Sequence, residues 1–141
     1  MPRTISEQSS DLRMGTFRLA RRLRAEKSDD DLSDGQFSVL AALFSHGPHT
    51  LSSLAERERV SAPSMNRTVG CLEDLGYLTR VPDVDDKRRV SITLTPTGTD
   101  TVKATVRKRD AWLTHALKSA TPEERATLAG AAAIMQRLAE R

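Results

Sequence analysis

The chain has 141 residues, a length that suits one domain or two small ones, and a net charge of +3 at neutral pH. Its 38% hydrophobic and 29% charged residues are typical of a folded protein and exclude a disordered chain. No apolar run approaches the roughly 20 residues that span a bilayer. Because the N-terminus also lacks the apolar core of a signal peptide, we expect a cytoplasmic protein with no membrane partner. A single cysteine excludes an internal disulfide.

Charge is distributed unevenly along the chain. Residues 1–27 contain seven cations and three anions, whereas residues 28–50 contain four anions and no Lys or Arg. Residues 51–95 balance seven cations against seven anions, so bulk charge does not identify a nucleic-acid surface and local clusters must do so. Only five residues are aromatic, which is too few for the stacking platform that single-stranded nucleic acid requires.

The first predicted helix covers about Ser9 to Glu26. Leu12, Leu19 and Leu23 recur at spacings of seven and four residues, which places them on one side of that helix. Five arginines occupy much of its remaining surface. The acidic stretch from Ser28 to Leu32 then predicts a linker.

A second helix is expected to begin after Ser33, which can form a capping box with Gln36. A helix so rich in apolar residues is typical of a protein core. Its end is predicted at Gly47-Pro48, since these residues favour termination. The apolar face is predicted to consist of Phe37, Leu40, Ala41 and Phe44, widened by Val39 and Leu43.

Two short helices joined by a tight turn come next, and this order is typical of a helix-turn-helix. Thr50 is the expected N-cap of the first helix. Ser61 is expected to cap the second, with Pro63 in the first turn, where a missing N–H costs nothing. Val60 is predicted to be a buried hinge residue between them. The inner faces are predicted to be Leu51, Leu54 and Ala55 in the first helix and Met65, Val69 and Leu72 in the second, with Leu75 as a further candidate.

The period of the apolar residues then changes from 3.6 to 2, which predicts two strands. Tyr77 to Val81 is expected to form the first strand. Val90, Ile92 and Leu94 mark the inward side of the second. The long charged loop from Pro82 to Arg89 connects the strands. A helix-turn-helix followed by such a hairpin is a winged helix.

The rest of the chain is predicted to be helical. One helix starts at Thr95-Pro96. Another starts after Thr121, with a proline in its first turn and Glu124 completing a capping box. The apolar stripes are Val102, Val106, Leu113 and Leu117 in the former helix and Leu128, Ala131, Ala132, Met135 and Leu138 in the latter.

The fold class expected from this order is mainly α with a small β-hairpin, an α+β winged helix-turn-helix. We divide the chain into residues 1–32, an N-terminal dimerisation helix and linker, residues 33–95, the winged helix-turn-helix, and residues 96–141, C-terminal dimerisation helices. Because the winged helix is complete without the end helices, their apolar stripes need a partner, and we expect a homodimer. The residues predicted to form its interface are Leu12, Leu19, Leu128, Met135 and Leu138.

The helix after Ser61 is the main candidate for a binding site. Its small polar residues permit deep entry into a major groove, where Arg67 can pair with guanine or bind phosphate. Asn66 or Ser64 can bond base edges or backbone, and the first N–H groups of the helix favour a phosphate oxygen. The alternative is that Ser61 is only a cap and Arg67 a solvated arginine. The predicted contacts to double-stranded DNA are Ser61, Ala62, Ser64, Asn66, Arg67 and Thr68.

The hairpin loop is the second candidate. Lys87, Arg88 and Arg89 follow Asp85 and Asp86 at its tip. Cations there suit a minor groove, whose negative potential attracts arginine. The aspartates would repel phosphate if they pointed outward, so we expect Asp86 to orient an arginine. The alternative is a solvated loop with charges of both signs. With these contacts, residues 33–95 are the expected DNA-binding domain.

The segment from Leu32 to Gly98 resembles the MarR family of bacterial transcription regulators nearly throughout. The most specific strings are Asp-Asp-Lys-Arg at Asp85 to Arg88 and Leu-Thr-Pro-Thr-Gly at Leu94 to Gly98. The flanking helices match by placement and pattern. The match therefore covers the whole chain, with decreasing detail toward both ends.

The resemblance implies a homodimer with one winged helix per subunit, joined by the terminal helices. The helix from Ala62 to Leu75 would enter the major groove, and Arg88, held by Asp86, would enter the minor groove. Many members are repressors that a phenolic or other small aromatic ligand releases, bound between the dimerisation helices and the DNA-binding lobe. In this chain the resemblance places that ligand near Phe17, Phe37, Phe44 and Trp112.

Two residues depart from the family pattern. Gly70 lies in the middle of the recognition helix, which it weakens. Cys71 follows it, whereas the hydroperoxide-sensing branch of the family uses a cysteine near the start of the first long helix, where this chain has none. We interpret Cys71 as a small unreactive side chain. Oxidation on the side of the helix that carries Arg67 is the alternative.

No set of residues points to catalysis, a metal or a cofactor. The acidic residues from Asp29 to Asp34 do not fit a calcium loop, and His46 and His49 suit a turn better than a metal site. The leading interpretation is a dimeric regulator, not an enzyme, that binds a pseudo-palindromic double-stranded DNA operator. The alternatives are a constitutive or architectural DNA-binding protein without a ligand, and a winged helix that serves protein–protein interaction.

Overall fold

A computed structural model describes residues 1–27 and 31–141 of the chain. Residues 28–30, which belong to the predicted acidic linker and to the rejected calcium loop, lie outside the described residues. The predicted fold class is confirmed, because the described residues are mainly helical with one antiparallel hairpin. The elements are α1 (Ile5–Ala25), α2 (Asp34–His46), α3 (Leu51–Glu58), α4 (Ala62–Asp74), β1 (Leu78–Pro82), β2 (Val90–Leu94), α5 (Pro96–Leu117) and α6 (Pro122–Ala139).

The chain forms two compact units. The first comprises Met1–Glu26 and Lys108–Arg141, and the second comprises Lys27–Arg107. The second unit contains the helix-turn-helix and the hairpin, and α5 begins in it. The division into residues 1–32, 33–95 and 96–141 remains a prediction.

The hydrophobic core lies in the second unit. Buried side chains from α2, α3, α4, both strands and α5 form one cluster. The predicted inner faces of α3 and α4 are confirmed at Leu54, Ala55, Met65, Val69 and Leu72, while Leu51 is only partly buried. Leu75, the further candidate, is 56% exposed because α4 ends before it.

The apolar face of α2 was predicted with the wrong rotation. Val39, Leu40 and Leu43 are buried as predicted, and Ala42, which was not predicted, is buried too. Phe44 is 43% exposed, and Phe37 and Ala41 are only partly buried. The reason is that α2 contacts both α3 and β2, so the two neighbours together cover a broader arc that is centred on different residues.

Side chains cap the helices of this unit as the sequence indicates. Ser33 and Gln36 form the predicted capping box, with the Ser33 N–H donating to Gln36 Oε1 at 2.9 Å and the Gln36 N–H to Ser33 Oγ at 3.1 Å. Thr50 and Ser61 are the N-caps of α3 and α4. The predicted end of α2 is also confirmed, because Gly47 follows it with a φ of +80°, a conformation that glycine adopts without strain.

Val60 was predicted to be buried, but it is 43% exposed. The backbone rather than this side chain closes the turn between α3 and α4. Arg59 has left-handed φ and ψ of 55° and 45°, and its N–H caps the end of α3. The Val60 N–H donates to the Ala55 carbonyl at 3.0 Å, which leaves the Val60 side chain at the surface.

The strands pair in antiparallel register from Leu78 opposite Leu94 to Pro82 opposite Val90. The first strand thus begins one residue later and ends one residue later than predicted. Ile92 is buried, but Val90 is 49% exposed, contrary to the predicted inward pattern. Val90 lies at the far end of the hairpin, opposite the exposed Pro82, and the base of the hairpin makes the core contacts.

The start of α5 packs closely against the end of α4. The Thr95 hydroxyl donates to the Gly76 carbonyl at 2.6 Å and accepts the Gly98 N–H at 3.1 Å. The Thr95 N–H donates to the Tyr77 carbonyl at 3.1 Å. A Cβ atom at Gly98 would overlap that carbonyl oxygen and approach Leu94 Cδ2 to 3.0 Å. Close approach of the two segments therefore requires glycine.

The inward side of α5 differs in part from the predicted stripe. Val102 is buried as expected, but Val106 is 40% exposed and Thr105 is buried in its stead. The buried residues Gly98, Val102 and Thr105 lie three to four positions apart, which is the spacing of one helix face.

Helix α1 is longer than predicted. It begins at Ile5 rather than near Ser9, because Thr4 and Glu7 form a capping box. The hydrogen bonds from the Thr4 backbone and side chain hold the pKa of Glu7 below its ordinary value of 4.5. The capping box was the feature of the sequence that could have predicted this start, since the first two turns contain no apolar stripe.

The first unit also contains two contacts of arginine. Arg109 Nε on α5 donates to the Leu23 and Glu26 carbonyls at 3.1 and 3.3 Å, and so binds the C-terminal end of α1. The Arg22 guanidinium lies 4.4 Å from the ring centre of Trp112, within the range of a cation–π contact. None of the helices among the described residues is long and apolar enough to cross a membrane.

We expect Gly98→Ala to lower the free energy of unfolding by about 1–3 kcal/mol, because the added methyl group overlaps the Tyr77 carbonyl and forces the backbone apart. Thermal or urea unfolding followed by circular dichroism measures this. The matched control is Gly35→Ala in α2, where a Cβ atom has open space. The explanation is wrong if the two alanine variants are equally stable.

Helix α6 offers a prediction about pH. Thr121 and Glu124 form the predicted capping box, and the pKa of Glu124 is lowered from 4.5, first by the backbone hydrogen bond of Thr121 and then by its side chain. A lowered pKa means that the Glu124 carboxylate stabilises the fold above its unfolded pKa, and that this contribution is lost as the pH falls through the lowered value.

Thr121→Ala removes the side-chain hydrogen bond but keeps the backbone N–H, so we expect the pKa of Glu124 to rise part of the way toward 4.5, as followed by the carboxyl carbon shift in an NMR titration. The pKa of Glu7, whose cap is untouched, serves as the internal control and should stay low. An unchanged titration of Glu124 in the variant would contradict this account of the cap.

Candidate nucleic-acid interface

Helix α4 presents a polar surface because its apolar residues are anchored in the core. Met65, Val69 and Leu72 are at most 2% exposed, which fixes the rotation of the helix. The residues between them must then face outward, since each residue of a helix is turned by about 100° from the last. Of the predicted contacts, Ser61, Ala62, Asn66 and Arg67 are exposed, and Ser64 and Thr68 are partly buried.

Two of these side chains also have structural roles. Ser61 Oγ accepts the Ser64 N–H at 3.2 Å and so caps the helix, as predicted. The Thr68 hydroxyl donates to the Ser64 carbonyl at 3.2 Å, one turn earlier in the helix. Ser61 and Thr68 therefore support the helix whether or not they bind DNA.

The loop of residues 83–89, here called the wing, holds Arg88 by a specific contact. Asp86 Oδ1 accepts from Arg88 Nε at 3.3 Å and from the Arg88 backbone N–H at 3.1 Å. The Arg89 N–H donates to the Asp86 carbonyl at 2.9 Å, which closes the turn. The predicted orientation of an arginine by Asp86 is thus present.

Exposure differs sharply between the two partners. The Arg88 side chain is 93% exposed, whereas that of Asp86 is 40% exposed. Lys87 and Arg89 are exposed on either side of Arg88. The cations therefore extend into solvent, and the carboxylate of Asp86 lies behind them.

Arg80 is a residue that sequence reasoning missed. Its Nη1 donates to Asn66 Oδ1 at 3.2 Å, and its Nε lies 3.5 Å from Glu73 Oε1. A signal was available, because Leu78 and Arg80 are two residues apart in β1 and so face the same side of the strand. Leu78 is buried in the core that α4 also enters, and Arg80 on the same side of the strand lies beside α4.

The remaining residue of interest on α4 is Cys71. It is a free and exposed cysteine, and Gln36 Nε2 approaches its sulfur to 3.4 Å. Its interpretation as a small unreactive side chain stays a prediction, with oxidation as the alternative.

The four residues predicted near a ligand belong to different units. Phe17 and Trp112 lie in the first unit. Phe17 is 62% exposed, and the Trp112 ring is in contact with the Arg22 guanidinium. Phe44 in the second unit is 43% exposed, while Phe37 packs against the core of that unit. Phe37 thus has a structural role in addition to any in binding.

The residues predicted to form the dimer interface are at the surface of the first unit. Neither α1 nor α6 has a buried residue. An open groove of about 370 Å³ is lined by Leu12, Phe17, Met135 and Leu138 among others. Leu12, Leu19, Leu128 and Leu138 are 41–50% exposed, and Met135 is partly buried.

A helix-turn-helix followed by a two-stranded hairpin is a winged helix-turn-helix. Residues 32–90 match the model of the MarR family. An HTH-type transcriptional regulator of Mycobacterium bovis, itself uncharacterised, is 37% identical over 132 residues, which cover 94% of this chain and 92% of that protein. YetL of Bacillus subtilis, an HTH-type transcriptional repressor, is 36% identical over 69 residues, covering 48% of this chain and 41% of YetL.

The fold is likewise that of known structures. A MarR family protein from Bacillus stearothermophilus aligns with a TM-score of 0.86 at 23% identity, covering 100% of this chain and 99% of that one. The chain belongs to the MarR family of HTH-type transcriptional regulators. Its relatives are regulators rather than enzymes.

Proposed function

We propose that this regulator is a homodimer that binds a pseudo-palindromic double-stranded DNA operator and represses transcription until a small aromatic ligand releases it. Helix α4 enters the major groove and the wing enters the adjacent minor groove. The observation that carries the proposal is the Asp86–Arg88 contact, because it orients a 93% exposed arginine at the tip of a wing. A regulator of this kind acts on the chromosome, which places it in the cytoplasm.

The contacts divide by their chemistry. Arg67, near the middle of the exposed side of α4, suits a bidentate contact to guanine. Ser61, Ala62, Ser64 and Thr68 are small enough for the helix backbone to approach the groove closely. Arg88, with Lys87 and Arg89 beside it, suits the narrow, negative minor groove. Asp86 acts through Arg88 rather than on the DNA.

Dimerisation follows from the exposed apolar side chains of the first unit. Large apolar residues of α1 and α6 that are 41–50% exposed favour a partner surface, and a second copy of the chain offers the same surface. A two-fold dimer would read two half-sites about one helical turn apart, roughly 34 Å, and this matches a pseudo-palindromic operator.

A relative supports repression, and aromatic side chains of the first unit support ligand release. YetL is a repressor, and because it matches this chain we propose repression rather than activation of transcription. For the ligand, the first unit offers the exposed ring of Phe17 and the Arg22–Trp112 pair, which suit an aromatic compound with an acidic group. Tenfold weaker DNA binding requires only about 1.4 kcal/mol of preference of that ligand for the released state.

The first test is fluorescence anisotropy on a duplex selected from a random DNA pool by the wild-type protein. We expect nanomolar binding that exceeds binding to scrambled duplex by about 10³-fold or more. Asp86→Ala should weaken specific binding by about 1–3 kcal/mol, as should Arg88→Ala, because the guanidinium loses its orientation.

The matched control is Asp85→Ala, which also removes one negative charge from the wing but no contact to Arg88. General attraction to phosphate predicts that both aspartate variants bind DNA at least as tightly as the wild type. Positioning of Arg88 predicts that only Asp86→Ala binds less tightly. Equal affinities for the two variants would refute the assignment of the wing, and equal wild-type affinity for selected and scrambled duplexes would refute sequence-specific binding.

The dimer has its own test. Leu12→Glu, at a 48% exposed position on α1, should shift the protein toward monomer in sedimentation velocity, since a charge in an apolar interface is costly to bury. The control is Val60→Glu, at a 43% exposed position outside the first unit, which should leave the oligomeric state unchanged. A wild type that sediments as a monomer contradicts the proposed interface. A Leu12→Glu variant that remains a dimer contradicts it too.

A further inference from the structure

Arg80 of β1 lies along the side of α4 and joins two of its residues. Besides the 3.2 Å bond to Asn66 Oδ1 and the 3.5 Å contact to Glu73 Oε1, its Nη2 lies 3.9 Å from the position that a Cβ atom would take at Gly70. Asn66, Gly70 and Glu73 are spaced four and three residues apart, so they form one strip of the helix surface. The Arg80 guanidinium lies over Gly70, where the helix surface has no side chain.

The contact with Arg80 determines which way the Asn66 amide faces. A guanidinium has only donors, so the group that receives its hydrogen bond must be the amide oxygen and not the nitrogen. The Nδ2 group of Asn66 then points away from Arg80. Since Asn66 is exposed, its two N–H donors are available to a ligand on the outer side of α4.

We propose that Arg80 is a positioning residue that sets the base preference of α4, because it holds Asn66 as a hydrogen-bond donor. An asparagine with both groups available reads adenine, donating to N7 and accepting from the N6 amino group. With one lone pair of its oxygen bound to Arg80 and its NH₂ group turned away from Arg80, Asn66 instead favours guanine, whose N7 and O6 are both acceptors. The inference rests on the proposed function, in which α4 enters the major groove.

Glu73 explains why an arginine performs this role. The contacts to Asn66 and Glu73 use two different nitrogens of one planar group, and a lysine has only one. The carboxylate of Glu73 also offsets the charge of Arg80, whose side chain is 31% exposed. Arg80 therefore contributes orientation more than attraction to phosphate.

The test is selection of bound sequences from a random duplex pool by the wild type, Asn66→Ala and Arg80→Lys. The base pair read by Asn66 is the one whose preference disappears in Asn66→Ala. We expect guanine there in the wild type, and an approximately tenfold loss of affinity when 7-deazaguanine removes the N7 acceptor. Arg80→Lys keeps the charge but loses the planar guanidinium that contacts both Asn66 and Glu73. It should reduce the preference for guanine over adenine about tenfold at that base pair alone.

A second variant reaches the same contact without altering Arg80. Gly70→Val adds carbon to the strip that the guanidinium occupies, and should displace Arg80 and produce the same change of preference. Circular dichroism and thermal unfolding establish that each variant is folded. Valine has a higher helix propensity than glycine, so we expect this variant to remain folded.

The outcomes separate this inference from the proposed function. A wild type that selects one sequence, with adenine at the Asn66 base pair, overturns the role of Arg80 but leaves sequence-specific binding intact. The role of Arg80 is also overturned if Asn66→Ala selects the same sequences as the wild type. It is overturned as well if neither Arg80→Lys nor Gly70→Val changes the preference for guanine at the Asn66 base pair. A wild type that selects no sequence overturns both.

Discussion

The burial of Met65, Val69 and Leu72 is the constraint on which the interface depends. Each is at most 2% exposed, and burial of such a side chain contributes about 1.5–3 kcal/mol, so rotating α4 would forfeit most of its attachment to the core. The exposed positions follow from the buried ones. Asn66 and Arg67 face outward because their neighbours cannot turn outward without this loss.

The hairpin depends on the same core. Leu78 and Ile92 extend it into the two strands, and the missing side chain of Gly98 lets α5 begin directly against the Tyr77 carbonyl. The base of the hairpin is thus fixed between α4 and α5. Its far end, with Val90 and the wing, lies beyond the buried residues, and there backbone hydrogen bonds between Asp83, Asp86 and Arg89 close the loop together with the Asp86–Arg88 contact.

Local signals predicted most of the fold. Ser33, Thr50, Ser61 and Thr121 were identifiable as caps because a cap depends on residues three positions apart, which the sequence displays directly. The rotation of α2 was wrong for the opposite reason: its buried face depends on two neighbours. The six residues from Val39 to Phe44 are all apolar, so they do not indicate which side of the helix is buried.

The interface shows the same division between local and distant information. Asp86 and Arg88 are two residues apart, so the amino-acid sequence alone is enough to interpret the aspartate as the holder of an arginine. Arg80 and Asn66 are 14 residues apart and meet only because β1 lies beside α4. Val60 was predicted to be buried from its apolar character, but the left-handed Arg59 and the backbone bonds of the turn leave it at the surface.

The charge balance of the wing affects how such a regulator searches a chromosome. Asp83, Asp85 and Asp86 offset Lys87, Arg88 and Arg89, so the wing has no net charge although it presents three cations at its tip. Attraction to arbitrary phosphate is the source of non-specific binding, and roughly 10⁶–10⁹ random sites compete with each operator in a genome. A neutral wing gains little from those sites. Under the proposed function, its cations would contribute mainly where the minor groove fits the loop, which would shorten the time spent at wrong positions and leave more of the protein available for the operator.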